Sequence, residues 1–357
     1  MTSRRDVMAG IAAMGTLAAT PVRAGTARPA LVAGTYAGKG GAGLVPIDPA
    51  GRVGAPVTAL KDVSFGVSRA TGPRYLVREG PAGRLIATDR AGNILADRAS
   101  GGDDPCHIAI DPAARALAVA NYSSGTVSVY PLDRAGLPGD PVVRQQRGTG
   151  PNTERQGGPH AHWVGFTANG RHLHAVDLGA DAVFAYAMRG AIPSEPRVAW
   201  RAPAGSGPRH LAHHPRRPLA YVVTEMANTL VTLTAASDGS FTTRSTRSLL
   251  PADFAGPSQA AHIAIDRRGR RLYASNRGHN SIAVFDLGDD GTPRPIQHIV
   301  SGGDWPRFFL LLEDAGQLLV ANERSGTVAV FAIGSDGRLS PTDERIAIPG
   351  VVFLDRA

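Results

Sequence analysis

A phrase that returns along the chain limits the fold more than any other feature. Pro105-Cys106-His107-Ile108-Ala109-Ile110 leads to Leu117-Ala118-Val119-Ala120-Asn121-Tyr122 and then to Gly125-Thr126-Val127-Ser128-Val129-Tyr130. It recurs as Pro306-Arg307-Phe308, Leu319-Val320-Ala321-Asn322-Glu323 and Gly326-Thr327-Val328-Ala329-Val330-Phe331, and again around His162, Arg209 and Ala261 and, more loosely, around Arg74. Each copy reads as short apolar, β-branched runs broken by Gly, Asp, Asn or Pro, a pattern of strands and turns. Starts at 106, 162, 209, 261 and 307 lie 56, 47, 52 and 46 residues apart, the period of a four-stranded propeller blade rather than of a helical solenoid.

The two ends complete the count. Leu31-Val32-Ala33-Gly34-Thr35-Tyr36 matches the second strand of a copy and lacks a first strand, which Gly350-Val351-Val352-Phe353-Leu354 can supply. The predicted fold class is therefore all-β, a seven-bladed β-propeller whose C-terminal strand joins the N-terminal blade. Such closure removes open sheet edges.

Aligning the copies isolates two columns. The first opens the inner strand: Cys106, His162, Arg209, Ala261, Arg307. The second lies 16 residues later: Tyr122, Leu178, Glu225, Arg277, Glu323. The start of one antiparallel strand lies beside the end of the next, so both columns are expected at one mouth of an open, wet central channel. The scaffold around them repeats but the columns do not, which is how a symmetric ring carries an asymmetric site. The plainer alternative is a set of salt bridges that plugs the channel.

Ser3-Arg4-Arg5-Asp6-Val7-Met8, the apolar run Ala9 to Ala19 and Val22-Arg23-Ala24 read as a twin-arginine-type signal peptide over 1–24, followed by one domain over 25–357. Periplasmic or secreted location follows as an expectation, with the export machinery as partner and no stable membrane insertion, since the run is too short to span a bilayer. The formal charge is +8 but aromatics are only 6%. A basic surface without aromatic interleaving argues against nucleic acid and leaves an Arg-lined pocket for a small anion. The single cysteine, Cys106, rules out an intrachain disulfide. His160-x-His162, His172-x-His174 and the group His210, His213 and His214 bring imidazoles close in sequence, but no carboxylate or thiol stands at ligand spacing. No metal and no other cofactor is expected.

Gly150-Pro151-Asn152 through Arg155-Gln156, Gly158-Pro159-His160-Ala161-His162, Gly205-Ser206-Gly207-Pro208-Arg209-His210, Ser275-Asn276-Arg277-Gly278-His279 and Gly302-Gly303-Asp304-Trp305-Pro306-Arg307 resemble the signatures of the lactonase family. That family includes propeller-type 6-phosphogluconolactonases and fungal-type carboxymuconate cyclases. The resemblance implies hydrolysis of a small sugar lactone, with catalytic residues His160 or His162, Arg209, Glu225 and Arg277. Between the two histidines the sequence does not choose. Arg307, Trp305, Glu323 and Tyr122 are the candidate substrate-binding residues, and a lactonising cycloisomerase or a non-catalytic binding platform are the rival readings. Two positions depart from the family pattern: Phe308 stands where His is usual, and His262 where Glu is common.

Overall fold

The computed structural model describes residues 26–69 and 71–357; the leader read at 1–24 lies outside them. Seven antiparallel sheets succeed one another around an axis. Six open on the inner strands Val63–Ser68, Pro105–Ile110, Ala161–Phe166, Pro208–His213, Gln259–Ile265 and Pro306–Leu312. These define blades 1 to 6 in chain order, and each runs from inner to outer strand by simple hairpins, blade 3 with a short extra strand, Ile192–Pro193, before its outer strand. Blade 7 is composite. Val351–Arg356 forms its inner strand, paired antiparallel with Leu31–Thr35 so that Ala33 faces Leu354 and Gly34 faces Phe353. It has three strands rather than four, the place of the fourth being held by the bridges Leu44–Val57 and Ile47–Val53.

Blade 1 corrects the repeat register. Its inner strand begins at Val63, and Arg74 opens the second strand instead. Ser64 is thus the counterpart of Cys106, and Glu79, fifteen residues on, the counterpart of Tyr122: both backbone N–H groups bond the carbonyl just before their inner strand, Glu79 to Asp62 and Tyr122 to Asp104.

The second strands are buried on both faces, as in Ala116–Asn121, while an outer strand such as Ile94–Ala99 is largely exposed. Apolar packing therefore runs between blades, and seven buried clusters occupy the seven interfaces. Tyrosines latch neighbouring blades. Tyr75, Tyr221 and Tyr273 donate their hydroxyls to the carbonyls of Gly136, Gly291 and Gly337 at 2.7, 2.6 and 2.9 Å. Each acceptor glycine has φ near +80°, a turn conformation that a side chain would strain. The outer edges carry Pro and Arg, as in Pro293-Arg294-Pro295, which discourage pairing with another chain.

Val351, Val352, Phe353 and Leu354 are each no more than 2% exposed. Deleting residues 351–357 should abolish the cooperative thermal transition, because the loss uncovers two interfaces and the Leu31–Thr35 edge together. An unchanged melting temperature in the truncated chain would refute the closing role of this strand.

Candidate active site at one mouth of the ring

Every inner strand has an irregularity at the same place. The pairing shifts between Val63 and Phe65, Pro105 and His107, Ala161 and Trp163, Pro208 and His210, and Pro306 and Phe308, and opposite Val352 in blade 7. Blade 5 has a wider shift, from Ala260 to Ile263. Each is a β-bulge, and a bulge re-aims the side chains of its strand. The bulged residues are Ser64, Cys106, His162, Arg209, Arg307 and Val352, with Ala261 in blade 5: the first sequence column, completed.

The next residue along each inner strand is aromatic: Phe65, His107, Trp163, His210, His262, Phe308 and Phe353. Their rings meet on the axis. Phe65 and His107 are 4.2 Å apart, His262 and Phe308 4.4 Å, Phe308 and Phe353 5.3 Å. Contacts also cross between blades that are not neighbours, as with His107 and His210 at 5.3 Å and Phe65 and Phe308 at 5.5 Å. Only about 10 Å³ remains between this layer and Arg209, Cys106 and Arg307, room for one water at most. The expected open channel is instead a cup with an aromatic floor. A wider cleft of about 400 Å³ lies at the other end of the strands of blades 5 and 6, among Asp266, Arg271, Glu313 and Asp314, away from both columns.

The cup has two charged halves. In the first, Glu225 is gripped by three arginines: Arg277 Nη2 at 2.7 Å and Arg209 Nε at 3.1 Å on Oε2, and Arg155 Nη2 at 2.7 Å on Oε1. Arg209, Arg277 and Glu225 are 2%, 5% and 3% exposed, so these are desolvated charges. Burial alone would raise the Glu225 carboxyl, but Arg277 and Arg209 outweigh it and hold it well below the usual carboxylate range. Burial and the adjacent Arg277 weaken the hold of Arg209 on its proton, while Glu225 favours the charged form; with the carboxylate in contact, the guanidinium stays charged at neutral pH. In the second half Arg307 donates to Tyr36 Oη at 2.8 Å and lies 3.9 Å from Glu79 and 3.8 Å from Glu323. Tyr36 in turn donates to Glu79 at 2.5 Å.

The histidines differ in surroundings. His160 Nδ1 is 3.0 Å from the Tyr122 carbonyl and must donate there, which leaves Nε2 as the acceptor nitrogen. Its ring stacks on Tyr122 at 4.6 Å, and its backbone N–H bonds Asp177. His162 is buried, and burial with Arg209 nearby pushes its pKa well below the ordinary value. Its Nδ1 lies 3.7 Å from Cys106 Sγ. Burial raises the Cys106 thiol far above the range of a reactive thiolate. Trp305 adopts φ +68°, rare for a bulky residue. Arg324 covers its ring at 3.4 Å, and Arg277 lies 5.4 Å from it. Among the described residues no group of three or more His, Cys, Asp or Glu is placed to hold a metal ion.

All nine residues singled out in the sequence thus meet at one mouth. Arg155, Tyr36, Glu79 and His210 were missed as site residues. Arg155 sits in an inter-blade loop outside the period. Tyr36 and Glu79 needed the column extended to the closing blade and to blade 1. Side chains expected to border water are instead buried charges, so removing one partner is costly. Glu225→Ala strands three guanidinium groups and should destabilise the fold by about 3–5 kcal/mol, read by urea unfolding; a change under about 1 kcal/mol would contradict the buried network.

His107, His162, His174, His210, His213 and His262 all have pKa values lowered chiefly by burial, His174 and His262 to about 3 and His213 to about 4. They stay neutral when folded and take up protons when unfolded below about pH 6.5, so stability falls as pH falls through that window. Asp177, raised to about 6 by burial, opposes this by one proton. The unfolding free energy should therefore drop between pH 6.5 and 5.5 with a slope of about three to five protons. A flat profile would mean that these rings are charged or wet.

A family profile described as "Lactonase, 7-bladed beta-propeller" matches residues 53–355. The chain is 36% identical over 252 residues to the 6-phosphogluconolactonase of Bacillus subtilis strain 168, covering 70% of this chain and 72% of that protein. The periplasmic gluconolactonase of Pseudomonas aeruginosa superposes with a TM-score of 0.82 at 26% identity, over 92% of this chain and 98% of that one. A protein from Lactobacillus plantarum gives 0.82 at 28%, over 91% and 98%. With the repeated blades, the closed ring and the profile match all in agreement, the chain belongs to the lactonase family of seven-bladed β-propellers.

Proposed function

We propose that the cup hydrolyses a small aldonolactone, and that the observation carrying this is the unspent hydrogen-bonding capacity of its arginines. Arg209 uses Nε on Glu225 and Nη1 on the Ala261 carbonyl and His210; among the described residues its Nη2 has no partner. Arg277 Nε is buried without a partner as well. Water attack on a lactone carbonyl creates a tetrahedral oxyanion, and pre-aimed donors in a desolvated cup stabilise that charge without reorganising. Glu225, held ionised by three arginines, orients them and has no proton to give.

His160 serves as the base. Its Nδ1 is tied to Tyr122, its Nε2 carries the lone pair, and it is less buried than His162. Nε2 takes one proton from the attacking water and returns it to the ring oxygen as the acyl bond breaks; the aldonic acid formed then releases the water's other proton to solvent and leaves as the aldonate. The half lined by Glu79, Glu323 and Tyr36 suits substrate hydroxyls, since among the described residues nothing donates a hydrogen bond to the buried Glu323 Oε2, which has only Arg307 at 3.8 Å.

The substrate is unphosphorylated and met outside the cytoplasm. The leader read at residues 1–24 and the likeness to a periplasmic gluconolactonase support this, although the Bacillus relative is named for a phosphorylated lactone.

Arg209→Ala and Arg277→Ala should each lower kcat by roughly a hundred- to a thousandfold, the cost of one oxyanion donor. His160→Gln should do the same while His162→Gln loses far less. The measurement is proton release from phosphorylated and unphosphorylated lactones. Near-normal turnover in the arginine variants would end this reading. Closure of a carboxymuconate-type diacid with no lactone hydrolysed would replace it by cycloisomerisation. Uncleaved protein confined to the cytoplasm would remove the export argument.

A further inference from the structure

Of the three floor histidines that the hydrolysis does not use, two bond each other, and one of these also bonds Arg209. His210 Nε2 lies 3.1 Å from Arg209 Nη1, and His210 Nδ1 lies 3.1 Å from His262 Nδ1. We infer that His210 and His262 form a tautomer-locked pair that positions Arg209 from below, a role that rests on reading Arg209 as the oxyanion donor.

The lock follows from donor chemistry. A guanidinium N–H can only donate, so His210 Nε2 presents its lone pair and its proton sits on Nδ1. That N–H donates to His262 Nδ1, which must be the acceptor, so His262 carries its proton on Nε2. The second Nη1 hydrogen of Arg209 goes to the Ala261 carbonyl at 2.7 Å. Glu225 from the rim, Ala261 from the side and His210 from the floor therefore fix the guanidinium plane and leave the Nη2 edge free.

The backbone supplies an independent observation. Blade 5 has the wider bulge, covering Ala261 and His262, and the His262 N–H is satisfied by the side-chain Oγ of Ser275 at 3.0 Å instead of by a backbone carbonyl of the neighbouring strand. This displacement belongs to the same two residues that supply the carbonyl to Arg209 and the acceptor to His210.

The pair works only when neutral. A proton on His210 Nε2 would point an N–H at Arg209, and one on His262 Nδ1 would remove the acceptor. Arg209, Arg307, Cys106, His107 and His162 are the ionisable groups around His210, and Phe308 and Phe309 face His262. Among the described residues no carboxylate contacts either ring, and burial favours the neutral form of both.

The test compares His262→Phe, which keeps a ring in the floor but cannot accept a bond, with His262→Asn, whose Oδ1 can stand where Nδ1 stood. In His262→Phe, kcat on the lactone hydrolysed by the parent protein should fall about ten- to a hundredfold from misplacement of Arg209, with KM changed less than threefold. His262→Asn should restore kcat to within about threefold. Nitrogen-15 NMR of ring-labelled protein should show His210 protonated on Nδ1 in the parent and in His262→Asn, and a mixture of tautomers in His262→Phe. Undiminished kcat in His262→Phe, equal losses in Phe and Asn variants, or a His210 protonated on Nε2 in the parent would each overturn the pair. Arg209→Ala, assayed alongside, separates the two ideas: if that variant hydrolyses normally the hydrolytic reading fails, while the NMR result judges the pair without any assay of turnover.

Discussion

Everything in this ring depends on apolar contact between neighbouring blades. A blade's middle strands are buried on both faces, so a blade alone would leave two apolar surfaces in water, at roughly 25 cal/mol for each Å². Seven blades make seven interfaces only if the last meets the first. The strand Val351–Arg356, drawn from the far end of the chain onto Leu31–Thr35, creates the interfaces with blade 1 and blade 6 at once. The tyrosine latches and the charged, proline-bearing outer edges refine an arrangement that this closure makes possible.

Closure sets the dimensions of the axis, and the bulges decide what fills it. A regular strand would turn successive side chains to opposite faces. A bulge at the start of each inner strand brings two consecutive side chains to the axis, so each blade delivers one residue to the cup wall and one ring to its floor. The wall is free to vary because its neighbours hold the backbone. The floor stays aromatic in all seven blades, and this makes the cup single-ended.

The cup stores electrostatic cost. Burying two arginines and a glutamate is unfavourable unless each charge finds a partner, and Glu225 serves as the common one for Arg209, Arg277 and the half-buried Arg155. Its carboxylate takes charge-assisted hydrogen bonds from Arg155 and Arg209 and an ion-pair contact from Arg277, while Arg209 and Arg277 keep donors in reserve. A site built this way is poised for a developing anion. The two departures from the family pattern, His262 and Phe308, lie against each other in the floor at 4.4 Å; they form one local change.

The sequence alone was enough for the fold class, the blade count, the closing strand and most of the wall, because a fixed period forces equivalent residues into equivalent places. His162, Arg209, Glu225, Arg277 and Arg307 could be aligned without coordinates, since the 16-residue offset of two paired strands is a local property. It failed at blade 1, where the offset is one shorter and Glu79 fell out of the column, and at Arg155, whose loop obeys no period. The aromatic floor was written in the sequence one residue beyond each wall position, yet a regular strand would turn those side chains away from the wall residues. Only the tertiary structure decided that they meet on the axis, that the channel is closed, and that Arg209 is held from below by His210 and His262. Those contacts join blades far apart in the chain, and they exist only once bulged strands have converged around a closed ring.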